Sequence, residues 1–310
     1  TNKKYNFLIF LVLFFCGFLS FSQGLNTNIT ADSDGIVSCP SGTTAIGDYN
    51  DIGSKRIYVV GDTELTSFKA SGDFTIASTT YTPIDYTCLC TTRVTDMSDL
   101  FLNQATFNQD ISSWDTSSVT TMKNMFSDAS AFNQDIGDWD VSNVLNMQRT
   151  FYKAVAFNNG GSPSISTWDV SRVVNMYQMF FGASVFNQDI NLWDTSSVET
   201  MLGMFNGASA FDKPLNTWNV SSVTNMAGMF FGAWVFDQPL NTWNVSSVTD
   251  MSQMFLNARA FDQDLGGWNV SSVRNMAQMF QGAWAFNNDG IDSINNNWDT
   301  SSVETMSGMF

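Results

Sequence analysis

Acidic and amide side chains recur at fixed places in this sequence, and they are the residues best suited to bind a cation or a sugar. One row directly follows a tryptophan and precedes a serine by two residues. Its members are Asp115, Asp140, Asp169, Asp194, Asn219, Asn244, Asn269 and Asp299. Such a row can bind calcium or a glycan, or it can be a structural ladder whose side chains bond to nearby backbone. Its recurrence in unit after unit favours the structural ladder.

A second row of aspartates lies in turns of the type Phe-Asn-Gln-Asp or Phe-Asp-Gln-Asp. Its members are Asp110, Asp135, Asp189 and Asp264. If successive units stack about 5 Å apart, these carboxylates repel one another and a cation would stabilise them. They are therefore weak candidates for a Ca²⁺ site, although Lys213, Pro214 and Pro239 interrupt the row.

The composition disfavours catalysis. The chain has no histidine, which excludes histidine-ligated metal sites and Ser-His-Asp or Cys-His machinery. An aspartate-based polysaccharide hydrolase needs two carboxylates about 5–9.5 Å apart, and neighbouring members of either row would satisfy that distance. A true active site should also interrupt the repeat with a unique group of charges, and the sequence contains none. We therefore expect a protein that is not an enzyme and has no catalytic residues.

Two tryptophans break the repeat and predict a binding surface. Trp234 and Trp284 occupy a place that is Val155 or Ser184 in other units, and Arg259 occupies it in the unit between them. A place that accepts such different side chains is expected to be exposed. Exposed aromatic rings beside an arginine are typical of interaction hot spots and of sugar-binding platforms. The alternative is a cation–π stack without a ligand.

The elements that position these residues come from an internal repeat, whose period of about 25 residues is typical of solenoids. Repeat tryptophans lie at positions 114, 139, 168, 193, 218, 243, 268 and 298, and all 16 methionines fall in a Met-x-x-Met-Phe slot. Alternating apolar and polar residues around Trp218 predict a short strand, and apolar spacings of three and four from Met226 predict one or two helical turns. One unit buries too little apolar surface to offset its chain entropy. We therefore expect an α/β repeat fold, a leucine-rich-repeat-like solenoid with one short parallel strand and a short helical turn per unit.

The sequence before the repeats divides into two segments. Residues 1–22 combine two lysines, an apolar stretch and a small-residue cleavage site, which predicts a secretory signal peptide. Residues 23–88 are expected to form a small N-terminal cap on a repeat array that spans residues 89–310, about nine units with the last one truncated. The mature chain keeps Cys39, Cys88 and Cys90. One disulfide joining Cys39 to Cys88 or Cys90 is expected in an oxidising compartment.

The composite unit resembles a known bacterial repeat. Its pattern is Trp-Asp/Asn-Val/Thr-Ser-x-Val-x-x-Met-x-x-Met-Phe-x-x-Ala-x-x-Phe-Asn/Asp-Gln-Asp, and Leu215, Trp218 and Val220 fit a degenerate leucine-rich frame. Over residues 89–310 the chain resembles the BspA-like leucine-rich repeat surface proteins. The resemblance implies an exported protein that binds host, matrix or neighbouring-cell molecules without catalysis. Many such proteins carry a C-terminal anchoring domain, whereas this chain ends within a repeat at Phe310, which suggests a fragment.

The charge narrows the class of partner. A formal net charge of −16 argues against nucleic acid, which requires a basic face. No second apolar segment is long enough to span a membrane in the mature chain. We therefore expect a secreted or cell-surface bacterial protein that binds protein partners through its solenoid surface. A glycan-binding or calcium-dependent adhesion module is the alternative, followed by an aspartate-based polysaccharide-degrading solenoid and by a passive stalk.

Overall fold

The computed structural model describes residues 89–290, 294 and 297–310. Before residue 89 it describes residues 30–31, 37–38, 49–52, 55–63, 74–76 and 79–81. The predicted signal peptide, Cys39 and Cys88 lie outside the described residues. Cys90 is disulfide-bonded, and its partner also lies outside them, so the choice of partner stays a prediction.

The described residues before the array form short strands. These are β1 (Thr30–Ala31), β2 (Val37–Ser38), β3 (Tyr49–Ile52), β4 (Lys55–Val59), β5 (Phe74–Ile76) and β6 (Thr79–Tyr81), and β7 (Leu89–Cys90) follows at the start of the array. Strand β1 pairs with β2, β3 with β4 and β5 with β6, all antiparallel, and β4 pairs in parallel with β7. Asp62 then accepts hydrogen bonds from the backbone N–H groups of Thr95 and Asp96 at 2.8 and 3.1 Å. The segment around β4 therefore contacts the first repeat, while a cap formed by the whole of residues 23–88 stays a prediction.

The repeats stack in a constant register. Single residues in neighbouring units form parallel β-bridges, and we number units 1 to 9 from these bridge residues. They are Asp96, Thr121, Asn146, Asn175, Thr200, Asn225, Asp250, Asn275 and Thr305. The interval between successive bridge residues is the same throughout, except that it is a few positions longer after Asn146 and after Asn275. Short 3-10 turns accommodate the extra residues, at Asn159–Gly161 and Ser164–Thr167 in unit 3 and at Asn288–Gly290 in unit 8.

The secondary structure inside a unit differs from the expectation. Residues 218–221 form no extended strand, and the residue that pairs with the neighbouring units is Asn225, a few positions later. Residues 226–232 form successive turns instead of a helix. Each unit is thus a coil of tight turns with one bridge residue, rather than a strand followed by a helical turn.

The direction of the backbone N–H groups explains why these turns replace a helix. The N–H groups of Met226 and Gly228 donate to the carbonyls of Asp250 and Ser252 in the next unit, at 3.0 and 2.8 Å. The N–H group of Met229 lies between such donors and closes a turn onto the carbonyl of Met226 at 3.1 Å. A helix would use all of these donors within the unit. Bonds between units therefore take the place of the helical ladder.

Two places in every full unit have a positive φ angle, the third and the seventh residue after the bridge residue. They are Asp99, Asn103, Asn124, Asp128, Arg149, Lys153, Gln178, Gly182, Gly203, Gly207, Gly228, Gly232, Gln253, Asn257, Gln278 and Gly282, and Gly308 takes the third place in unit 9. The third residue of a type II turn requires such a φ and favours glycine or asparagine. A side chain with a Cβ atom costs about 1–2 kcal/mol there. Arg149 and Lys153, both at φ 53°, are the basic residues held in this conformation.

The core consists of columns of stacked aromatic rings that run along the array. The phenylalanine of each Met-x-x-Met-Phe slot, or its equivalent, stacks on the next at 5.4–5.8 Å between ring centroids. The phenylalanine six residues later forms a second column at 5.8–6.1 Å. Each repeat tryptophan from Trp139 onward donates its indole N–H to a backbone carbonyl of the preceding unit, as Trp139 does to Ile111 at 3.1 Å. Each unit therefore completes its core only through its neighbours.

Across the described part of the chain, no helix has the length and the apolar character needed to cross a lipid bilayer.

Candidate functional site

The first row of acidic and amide side chains is used locally, within each unit. In all eight members a side-chain oxygen accepts the backbone N–H of the serine two residues later, at 2.9–3.2 Å. The hydroxyl and the N–H of Ser171 lower the pKa of Asp169 in this way, and Ser301 lowers the pKa of Asp299 by the same two bonds. The side chains therefore close a turn of their own chain, which is the arrangement that the structural ladder requires.

The second row closes similar turns. Asp110, Asp135, Asp189 and Asp264 accept the backbone N–H two residues later at 2.8–3.0 Å. Burial raises the pKa of Asp135, but hydrogen bonds from Ser164, Gly137, Ser162 and Asn159 outweigh burial and hold the pKa below its ordinary value. Within the described residues, no group of three or more acidic, cysteine or histidine side chains is arranged to hold a metal ion.

A third polar row connects the units, and the sequence interpretation missed it. The side chain that follows the second phenylalanine of a unit accepts the backbone N–H of the equivalent residue in the next unit, at 2.6–3.1 Å. The accepting residues are Asn108, Asn133, Asn158, Asn187, Asp212, Asp237 and Asp262. The unvarying asparagine or aspartate at this place was the available signal. This row stabilises the stack and leaves fewer oxygens for a ligand.

The structure brings the two unusual tryptophans and the intervening arginine into one contact. The guanidinium carbon of Arg259 lies 5.1 Å from the ring centroid of Trp234 and 4.6 Å from that of Trp284. The two rings are 50% and 75% exposed. Backbone bonds from Ala260 to Trp234 and from Ala285 to Arg259, both 3.2 Å long, hold the three units in register. We call Trp234, Arg259 and Trp284 the tryptophan–arginine row.

A second cationic and aromatic group, which the sequence interpretation also missed, lies in units 3 and 4. The guanidinium carbon of Arg149 lies 5.2 Å from the ring of Tyr152 and 5.1 Å from the ring of Tyr177, and the amine of Lys153 lies 5.2 Å from the ring of Tyr152. Phe181 stacks on Tyr152 at 4.8 Å. We call these five residues the Arg149 cluster. The signal was present, because Tyr152 and Tyr177 are the two tyrosines of residues 89–310.

The stacked units and their periodic contacts define a repeat protein. The chain belongs to the family described as "Mycoplasma protein of unknown function, DUF285", whose profile matches residues 77–164, 161–248 and 213–310. No curated protein matches the chain.

Proposed function

We propose that this is an exported, surface-attached or secreted bacterial protein that binds protein partners through a leucine-rich-repeat-like solenoid, without catalysis. The observation that carries the proposal is the tryptophan–arginine row. Trp and Arg are the side chains that most often dominate the binding energy of protein interfaces. Two indole rings that remain half to three-quarters exposed offer apolar area that a partner can bury.

The order of the row supports this proposal. Arg259 lies between the two rings, so the three side chains hold one arrangement before any partner arrives. A pre-ordered surface loses less side-chain entropy on binding than a mobile one. The exposed Val235, beside Trp234, extends the apolar area. The resemblance to BspA-like surface proteins points in the same direction, because it implies adhesion outside the cell.

The test is a binding screen of the chain without residues 1–22 against purified extracellular-matrix proteins and glycans, in calcium and in chelator. The informative variant is Trp234→Ala/Trp284→Ala. Each truncation at a hot spot costs about 2 kcal/mol or more, which is about 30-fold in affinity. Leu192→Ala is the matched control, since Leu192 is 78% exposed and belongs to unit 4, outside the row.

The outcomes separate the candidate functions. Binding of a protein that weakens in the double variant and persists in the control supports the proposal. Glycan binding with the same dependence replaces it with a glycan-binding module. Binding that disappears only in chelator places the site at an aspartate row. A double variant that binds as well as the control would show that the tryptophan–arginine row has no role in binding.

A further inference from the structure

We propose that the Arg149 cluster is a binding site for an acidic polysaccharide, one whose sugars carry carboxylate or sulfate groups. The cluster begins in unit 3, whereas Trp234 lies in unit 6. The two surfaces are separate, and this inference does not depend on the proposed function of the tryptophan–arginine row.

The first argument is charge. The chain carries 13 basic and 29 acidic residues, yet within its described part neither Arg149 nor Lys153 is ion-paired with a carboxylate, unlike Arg274 with Glu304. Both cations contact the ring of Tyr152 at the same distance, 5.2 Å. Two positive charges beside one ring form a local attraction for anions on an otherwise acidic protein.

The second argument is the way the guanidinium group is held. The Nε atom of Arg149 donates to the side-chain carbonyl of Gln178 at 2.8 Å, and Nη2 donates to the hydroxyl of Tyr177 at 3.3 Å. The Nη1 atom makes no hydrogen bond within the described residues. An oriented guanidinium with open N–H groups binds planar oxyanions such as carboxylate or sulfate with good geometry.

The third argument is backbone conformation. Arg149 and Lys153 both have a φ of 53°, at the two places that have a positive φ in every full unit, and the next unit carries Gln178 and Gly182 there. The other residues at these two places are glycine, asparagine, aspartate or glutamine, so the two long basic side chains are exceptions in the array. Glycine would satisfy the fold at both places, so folding alone does not account for an arginine and a lysine there.

The fourth argument distinguishes a polysaccharide from an acidic polypeptide. Beside the cluster, units 4 and 5 carry three residues without side chains, Gly182, Gly203 and Gly207, and the side chain of Gln178 lies against Gly203. Protein partners obtain much of their affinity by inserting apolar anchors into pockets. A surface with three glycines that offers an amide group, a tyrosine hydroxyl and two cations, instead of apolar anchors, suits a hydroxyl-rich chain with regularly spaced anions.

The experiment compares the chain with an Arg149→Gly/Lys153→Gly variant. Because both positions are left-handed, glycine fits them, and we expect the melting temperature to stay within a few degrees or to rise. The control is Arg172→Ser/Lys213→Gln, which removes the same charge. Arg172 bonds to Asn143 at 2.6 Å, outside the cluster.

The probes are alginate oligosaccharides, which carry carboxylates, heparin oligosaccharides, which carry sulfates, neutral dextran and polyglutamate. Affinity is measured by calorimetry at constant salt. We expect alginate, heparin or both to bind, and the glycine variant to lose at least tenfold in affinity while the control stays within twofold. The comparison of the two acidic probes shows which anion the site takes.

Three results would overturn the inference. Equal weakening in the variant and the control would mean non-specific attraction between charges. Polyglutamate binding as tightly as both acidic glycans would assign the cluster to an acidic polypeptide. A lack of binding to alginate and to heparin, with a chain that melts cooperatively, would leave the cluster without this role.

Discussion

Replacement of Phe205 by alanine tests whether the aromatic columns hold the array together. Phe205 is fully buried, and its ring lies 5.8 Å from Phe180, 5.7 Å from Phe230 and 4.2 Å from Phe211. Truncation of a buried phenylalanine costs about 3–5 kcal/mol. Each lost ring pair adds about 0.5–1.5 kcal/mol beyond buried area. With ring partners on three sides, Phe205→Ala should fall in the upper part of the range, about 4–5 kcal/mol.

Phe310 provides a matched control within the same column. Its ring is 75% exposed and contacts Phe280 at 5.7 Å. Phe310→Ala removes the same atoms but little buried area, so it should cost about 1 kcal/mol or less. Both variants keep every tryptophan of the chain, and tryptophan fluorescence therefore reports unfolding in both.

The assay is urea unfolding of the chain and both variants, followed by tryptophan fluorescence and by far-ultraviolet circular dichroism. A stack stabilised by nearest-neighbour contacts should divide where the defect lies. Phe205→Ala should thus lower the stability and also separate the transition into two steps. If the two variants differ by less than about 1.5 kcal/mol, which is roughly half the low end of the cavity cost, the columns do not provide the coupling between units.

Three further perturbations test individual contacts. Asn159→Ala removes a buried amide that accepts the N–H of Ile136 at 2.9 Å; it should cost about 1–3 kcal/mol in thermal unfolding, and a smaller cost would mean that water replaces the amide. Gly207→Ala places a Cβ atom at φ 71° and should destabilise the chain by about 1–2 kcal/mol. Gly267 has no left-handed φ, so Gly267→Ala is the control and should leave the stability unchanged. Equal denaturation midpoints for the two variants would refute the left-handed assignment. The pKa of Asp135 is lowered from 3.8, so its contribution to stability is complete above that value and disappears as the pH falls through the lowered pKa. Asp135→Asn should therefore reduce the loss of stability as the pH falls below about 4 in acid titrations, and an unchanged slope would contradict this.

The repeat period was sufficient to predict which residues from different units lie next to each other. Trp234, Arg259 and Trp284 are separated by one full repeat each, and residues at equal places in stacked units must be neighbours whatever the unit's internal structure. The same reasoning correctly relates the repeat tryptophans and phenylalanines, which form columns. The contacts that depend only on periodicity were therefore accessible from the sequence.

The path of the backbone inside a unit could not be predicted from the sequence in the same way. The apolar spacing of Met226, Met229 and Phe230 fits a helix, but overlapping turns produce the same spacing. What distinguishes them is the destination of the backbone N–H groups, which side-chain hydrophobicity does not report. Glycine, asparagine and aspartate, which occupy the two places of positive φ in most units, were the better indication, because these residues tolerate positive φ.

The Arg149 cluster required this knowledge of the turns. Arg149 and Lys153 lie four residues apart in one unit, and Tyr177 lies in the next. Their contacts depend on which way the left-handed residues direct their side chains. A helix would have placed the same residues differently, so their proximity could be recognised only after the turns were known.

The backbone N–H groups run in opposite directions on different parts of each unit. The first, third, fifth and seventh residues after the bridge donate toward the C-terminal units, as Gly228 does to Ser252, whereas Thr120 and Ala131 donate back to Thr95 and Ala105. Peptide dipoles on the two sides therefore partly oppose each other. In an α-helix they add to a charge of about half a unit at each end. Each added unit therefore contributes less to a field along the axis of the array than it would if all of its N–H groups pointed the same way.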